Sequence, residues 1–444
     1  MADKINTAKN SAIKNANTKK TKIQKKVSKE SKKDFFALPD KEYDIIRDEL
    51  LHCNKPLYFF HDDADGVSSF LQLYRFKREG KGVIIKSTPL IDKKYIRKVQ
   101  EYGPDKIFIL DIADVEQDFI DCVGCPVVWI DHHGPFMRER VKYFNPRIHR
   151  QDSNPPVSYL VSKVVNNPDD EWIAMAGMAG DWFLPPDYSD FSARFPKLLP
   201  KKINAPQDAL FSSDIGKIAE IFNFIIKGTA AEALKYVKIM TRIRHYDEIL
   251  KQTTSQGAYI YKRYENIKKL YDIILTKAKK KAGKSSLIVY EYSENNMSFT
   301  GEISNELLFL YPNKVILIAR EKSGQMKCSI RSAKFILPPI IESALFGLEG
   351  KGGGHEHACG AVIDKNDFKE FIKRLKAAIN SKPAPLPSKV ASKASSKASS
   401  KTASKASSKA VFKVPSKAPV KNKPVLPCKA KTPLGVRNNT LFPN

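Results

Sequence analysis

Three short apolar runs, each ending in a knot of acidic or histidine residues, constrain the fold of this chain most tightly. Residues 57–60 lead into His61-Asp62-Asp63-Ala64-Asp65-Gly66, residues 107–110 into Asp111, and residues 127–130 into Asp131-His132-His133-Gly134. The runs are aromatic or β-branched, and helix-like stretches separate them. That is the pattern of buried parallel strands joined by βαβ crossovers. Parallel sheets bind ligands beyond the carboxyl ends of their strands, so the three clusters are expected to meet at one sheet edge.

Carboxylates gathered at one place repel unless positive charge lies among them, and a buried carboxylate without a partner is protonated or expelled. A pair of divalent cations resolves the conflict. Mixed oxygen and imidazole donors suit Mn²⁺ or Mg²⁺ rather than thiolate-bound zinc, with Mn²⁺ the first expectation. A simpler alternative for any single Asp is that it caps the helix after its strand.

The His-x-Asp-x-Asp-Gly segment, the lone Asp111, the Asp-His-His segment and Gly177-Met178-Ala179-Gly180-Asp181 follow one another in order. Together they resemble the four motifs of the DHH phosphoesterases, the superfamily that contains RecJ-type exonucleases. Far downstream, the segment from Gly352-Gly353-Gly354-His355 to Gly360 is similar to the GGGHxxAxG signature of the DHH-associated C-terminal substrate domain. The resemblance covers roughly residues 35–380 and is strongest to the archaeal RecJ-like branch. It implies that His61, Asp63 and Asp111 hold one metal and that Asp65, Asp111, His132 and Asp181 hold the other, Asp111 bridging. It further implies that His133 contacts the phosphate, that Asp131 orients the imidazoles, and that Arg331 and His355 bind substrate. Gly352, Gly353 and Gly354 read as a backbone nest for an anion.

The implied organisation is an α/β chain with a parallel-sheet catalytic domain at 34–185 and a helical insertion or linker at 186–284. Within that insertion, long helices are predicted over 215–226 and 230–278. A smaller α/β substrate-binding domain follows at 285–380, with strands over 287–292, 315–319 and 326–331. Basic arms at 1–33 and 381–444 complete the chain. The first arm carries eleven Lys against Asp3 and Glu30, and the second thirteen Lys and Arg437 with no acid. Lysine recurs every fourth residue from Lys389 to Lys421 among Ser and Ala, which would stack like charge on one helix face. Both arms therefore read as disordered. They suit salt-sensitive binding to a phosphate backbone, or alternatively serve as solubilising tails.

No apolar run reaches the length of a membrane span and the lysine-rich start lacks the core of a secretory signal, so a cytoplasmic location is expected. The six cysteines, at 53, 122, 125, 328, 359 and 428, describe no disulfide framework. The Cys122-x-x-Cys125 pair stands alone and reads as incidental. Gly283-Lys284-Ser285 reads as a loop before a strand rather than a P-loop, because Ala278 stands where that motif needs its first glycine.

The functional expectation is a RecJ-like exonuclease on single-stranded DNA or RNA. The alternatives are a phosphodiesterase for oligoribonucleotides or cyclic dinucleotides, and a noncatalytic replication scaffold. Expected partners are single-stranded nucleic acid or short oligonucleotides, with no membrane. The helical insertion is the expected contact for replication or repair proteins.

Overall fold

A computed structural model describes residues 37–86, 89–293 and 297–380. Both lysine-rich arms lie outside these residues.

Five parallel strands build the first sheet. They are β1 (Pro56–His61), β2 (Lys81–Ile85), β4 (Lys106–Leu110), β6 (Val127–Ile130) and β7 (Lys142–Phe144), in the order β2-β1-β4-β6-β7. Two dipeptide strands, β3 (Leu90–Ile91) and β5 (Asp114–Val115), pair separately. The three strands expected from sequence are the central ones, and β2 and β7 flank them. From β1 the chain moves outward to β2, then returns to β4 on the other side of β1. The strand order thus reverses between β1 and β4, where open α/β sheets form their ligand crevice.

Alternation along each strand explains the continuous apolar runs. Tyr58, Phe60, Phe108, Leu110, Val128 and Ile130 enter one core. Leu57, Phe59, Ile107, Ile109, Val127 and Trp129 enter another on the opposite face. With both faces covered, every position is apolar. The first face is covered by the helices Ala64–Lys77, Val157–Val165 and Glu171–Gly180, and the core continues into the helix Asp214–Ile225 through Ile215, Ile218 and Phe222.

The stretch expected as helix over 230–278 is divided. It forms Ala230–Met240, the single turn Asp247–Leu250 and the long helix Ser255–Lys279. Gln252 has φ 54° and the Thr254 hydroxyl accepts from Gly257 N at 3.1 Å, so a left-handed residue and a new N-cap interrupt the run.

The second sheet contains β8 (Leu287–Ser293), β9 (Val315–Lys322), β10 (Gln325–Arg331), β11 (Gly350–His355) and β12 (Ala358–Asp364), in the order β11-β12-β10-β9-β8. Only β8 and β9 are parallel. One face packs with the helices Leu337–Leu345 and Phe368–Asn380. Ile288, Tyr290, Ile316 and Ile318 on the other face join the large core beside the helix Thr300–Leu310. Among the described residues no helix is long and apolar enough to cross a membrane.

Candidate metal and phosphate site

The carboxyl ends of β1, β4 and β6 hold the clusters singled out in the sequence. His61 ends β1, and Asp63 caps the next helix by accepting from Gly66 N at 2.9 Å. A Cβ on Gly66 would lie 2.5 Å from the His61 carbonyl oxygen, so only glycine lets this first turn fold back under the strand end. Asp65, one residue into that turn, is fully buried. It accepts from Val157 N at 2.8 Å and Ser158 N at 2.7 Å, the free donors at the start of another helix. Asp63 thus caps the helix after its strand, as the simpler alternative has it, while Asp65 serves the start of a second helix.

Asp111 follows β4 in the left-handed region, with φ 57°. Its amide donates to the Ile130 carbonyl at 3.0 Å, which fixes the turn against β6. Asp181 ends the helix Glu171–Gly180, brought in by two close helix approaches. A Cβ on Gly177 would lie 2.6 Å from Ser68 Cβ, and one on Gly180 would lie 2.7 Å from Ala64 Cβ. These glycines allow Asp181 to reach the sheet edge.

The side chains converge. His61 Nδ1 lies 2.6 Å from Asp63 Oδ2 and 3.3 Å from Asp111 Oδ2. On the other side, His132 Nε2 lies 3.3 Å from Asp111 Oδ1 and 3.5 Å from Asp181 Oδ2. Three sets of ligand atoms each fall within 4.8 Å: His61, Asp63 and Asp111; Asp65, His132 and Asp181; and Asp111, His132 and His133. Asp111 belongs to two of these sets, one with His61 and Asp63 and one with His132 and His133.

The donor set fits divalent cations. Asp111 Oδ2, His132 Nδ1 and His61 Nδ1 are buried without hydrogen-bond partners, His61 and Asp63 being close but out of alignment. Burial pushes the Asp111 carboxyl up, but His132 and His61 more than offset it and hold it well below the usual range. Burial lowers His132, yet Asp111, Asp181 and Asp65 drive it up to about 10. Burial, followed by repulsion from Asp111, pushes Asp65 up to about 7. Asp181 is raised well above the carboxylate range by burial and then by Asp65. Histidine and carboxyl protons here serve as counter-charge, the role that a bound cation takes over when it displaces them.

Asp131 stands behind this cluster, fully buried. It accepts from His133 Nδ1 at 2.7 Å and from His133 N at 3.1 Å. Tyr143 OH and Asn145 Nδ2 each donate to its other side at 3.1 Å. Asn145 Nδ2 also donates to the His133 carbonyl at 3.0 Å, and Asn145 Oδ1 accepts from Arg147 N at 2.9 Å. Sequence reasoning missed Tyr143 and Asn145. The Asn145-Pro146 dipeptide announces a turn, but not what its side chain holds.

The second sheet presents His355 to the same place. Its ring stacks on His133, with centroids 5.2 Å apart and planes at 28°, and lies 6.1 Å from the His132 ring. Burial, then the charges of His133, His132, Arg147 and Arg331, pulls His355 down to about 4. At neutral pH it is an uncharged imidazole in a cationic surrounding. Arg331 Nε donates to Asn305 Oδ1 at 2.7 Å, and Nη1 donates to the carbonyls of Ile330 and Cys359 at 3.0 and 3.2 Å. Those bonds fix the plane of the guanidinium without using Nη2.

The glycine tract differs from the expected nest. Gly352, Gly353 and Gly354 lie in β11, an edge strand paired antiparallel with β12 through Gly353↔Gly360. Packing explains two of them: a Cβ on Gly352 would lie 2.9 Å from Ile341 Cγ2, and one on Gly354 2.6 Å from the Ala358 carbonyl oxygen. Nothing lies within 4 Å of a Cβ built on Gly353, so its backbone is open to approach.

Comparison with known proteins agrees with this picture. Residues 284–381 match the DHHA1 domain. No curated protein sequence matches the chain. Among solved structures, RecJ of Thermus thermophilus in complex with Mn²⁺ superposes with a TM-score of 0.56 at 18% identity, covering 79% of this chain and 56% of that one. A second exonuclease RecJ bound to manganese gives 0.52 at 16% identity, covering 78% and 96%. The DHH domain of a member of the s1p family of ribosomal proteins gives 0.54 at 16% identity, covering 81% and 97%. The chain thus spans little more than half of the Thermus protein, and at these identities the likeness is one of fold. Residues 284–381 thus carry a DHHA1 domain, and the described chain shares the fold of the RecJ structures.

Proposed function

We propose that the chain hydrolyses phosphodiester bonds at the ends of single-stranded DNA or RNA, as a RecJ-like exonuclease with two divalent cations. One observation carries the reading: beside the Asp111-centred donor sets, His355 of the other sheet stacks on His133. His61, Asp63 and Asp111 would hold one cation, and Asp65, Asp111, His132 and Asp181 the other. When bound, such a pair lowers the pKa of water and neutralises charge growing on the phosphate. Mn²⁺ is the first choice and Mg²⁺ the second, since all donors are oxygen or imidazole.

The protein's own groups do the rest. Asp131 fixes the His133 ring by accepting from Nδ1, which turns Nε2 toward a phosphate oxygen. Arg331, braced by Asn305, offers Nη2 to a phosphate at the strand end, while the bare backbone at Gly353 admits the chain closely. His355, stacked on His133, brings the second sheet to the same phosphate. Because both sheets must contact the substrate, a free end fits better than an internal segment. The archaeal RecJ-like branch remains the expected relative, and the helical insertion the expected contact for replication or repair proteins.

The test is digestion of end-labelled single-stranded DNA, RNA, dinucleotides and cyclic dinucleotides with Mn²⁺ or Mg²⁺. Wild type is compared with Asp111→Asn, which tolerates the left-handed backbone better than Ala. A metal-dependent ladder growing from one end, absent in the variant, is the expected result. Cleavage of dinucleotides alone would replace the exonuclease with the small-substrate phosphodiesterase. Turnover by Asp111→Asn near the wild-type rate at saturating Mn²⁺ would remove the two-metal assignment.

A further inference from the structure

A row of three aromatic rings leads away from the metal cluster. Trp182, the residue after Asp181, meets Phe211 edge-on, with ring centroids 6.0 Å apart and planes at 89°. Phe211 then stacks on Phe309, at 4.7 Å and 25°. Three separate elements contribute: the turn after the helix Glu171–Gly180, the end of the short helix Pro206–Phe211, and the helix Thr300–Leu310. All three rings are partly exposed. Trp182 leans on the large core, whereas Phe211 and Phe309 are not among the side chains packed against it.

One end of the row adjoins a residue assigned to the metals, and the other lies near the residue that braces Arg331. At one end Trp182 adjoins Asp181, whose carboxylate lies 3.5 Å from His132. At the other, Phe309 lies one helical turn from Asn305, the residue that braces Arg331, and residues four apart share a helix face. A run of partly exposed π-faces matches the flat faces of nucleobases, which stack on aromatic side chains with little regard to sequence.

We propose that Trp182, Phe211 and Phe309 form a stacking platform for the bases of a single-stranded nucleic acid whose terminal phosphodiester lies at the Asp111 cluster. The inference rests on the phosphodiesterase reading and adds to it that the bases, as well as the phosphates, are recognised. The helix carrying Phe309 also packs beside the small sheet that holds Arg331, so base stacking and phosphate binding are set by one rigid element.

Tryptophan fluorescence tests the platform directly. The chain has three tryptophans, and Trp129 and Trp172 are 0% and 1% exposed, which leaves Trp182 as the reporter at the surface. Full-length protein in chelator, which stops turnover, is titrated with oligothymidylate of about ten nucleotides and with an abasic phosphodiester of equal length, a span within the usual single-strand site size. The lysine-rich arms respond to both polymers alike, so the difference reports on bases. Oligothymidylate is expected to quench saturably and to bind roughly tenfold or more tighter than the abasic chain. Phe309→Ala and Phe211→Ala should each remove most of that ratio, and Phe309→Tyr should restore it, with thermal melts confirming folded protein. Equal affinity for the two polymers, absence of quenching, or a ratio unchanged in both alanine variants would overturn the platform. Hydrolysis of oligothymidylate by wild type in Mn²⁺ is read in parallel. Base-dependent quenching without hydrolysis upholds the platform and removes the enzymatic reading; hydrolysis without base-dependent quenching does the reverse.

Discussion

Asn145 offers the sharpest test of how the Asp-His-His loop is held. The residue is fully buried, and its amide nitrogen serves Asp131 Oδ2, the His133 carbonyl and the Tyr143 hydroxyl, while its oxygen caps Arg147 N. Asn145→Ala deletes the cap, a loss of about 1 kcal/mol. It also leaves buried acceptors short of a donor, at about 1–3 kcal/mol for each group left unsatisfied. Asp131 Oδ2 keeps Tyr143 OH and His133 N, so its share falls at the lower end. The total comes to about 3 kcal/mol, read as a lower urea midpoint at unchanged slope. Turnover of a labelled oligonucleotide should fall by about 10- to 100-fold, because the imidazole loses its fixed orientation. Asn145→Asp separates the two effects. It keeps the oxygen that caps Arg147 but sets a second carboxylate against Asp131, where Nδ2 was 3.1 Å away. Its kcat should drop at least as far as that of the alanine variant, although the cap survives. Near wild-type turnover in Asn145→Asp, or a loss of stability with kcat unchanged in Asn145→Ala, would refute the argument.

Other substitutions examine other parts of the molecule. Gly177→Ala drives a methyl group to 2.6 Å from Ser68 Cβ and should destabilise the fold by about 1–3 kcal/mol in chemical denaturation, with activity falling as Asp181 is displaced. Arg331→Lys keeps the charge but loses the braced planar fork, so KM for an oligonucleotide end should rise several-fold while Mn²⁺ binding by calorimetry stays as in wild type; loss of Mn²⁺ binding would contradict that division of labour. Removal of residues 381–444 deletes thirteen Lys and one Arg. The truncated protein should bind long single strands more weakly and with a flatter salt dependence, and equal slopes for both proteins would make the arm a solubilising tail.

What could be read from the sequence was whatever burial or chemistry imposes locally. A strand covered on both faces must be apolar at every position, so β1, β4 and β6 announce themselves, and charged side chains at their ends stand out because nothing else there is polar. β2 escaped notice because it opens with Lys81-Gly82, and β7 because it is only three residues long. The glycine tract misled for a different reason. Glycine has no side chain with which to alternate, so β11 lacks strand periodicity and is defined by its partner β12, itself recognisable only once paired. Asp111 carries no sign of its left-handed backbone, since Asp enters that region without glycine's help and the turn is enforced by the bond to Ile130. The helical run over 230–278 was legible as apolar periodicity, but the break at Gln252 and Thr254 depends on how two helices turn to reach the same core. Asn145, Asn305 and the rings of Phe211 and Phe309 lie beyond any local rule. Their meaning comes from neighbours far along the chain, which only the packing of the two sheets about a shared core brings together.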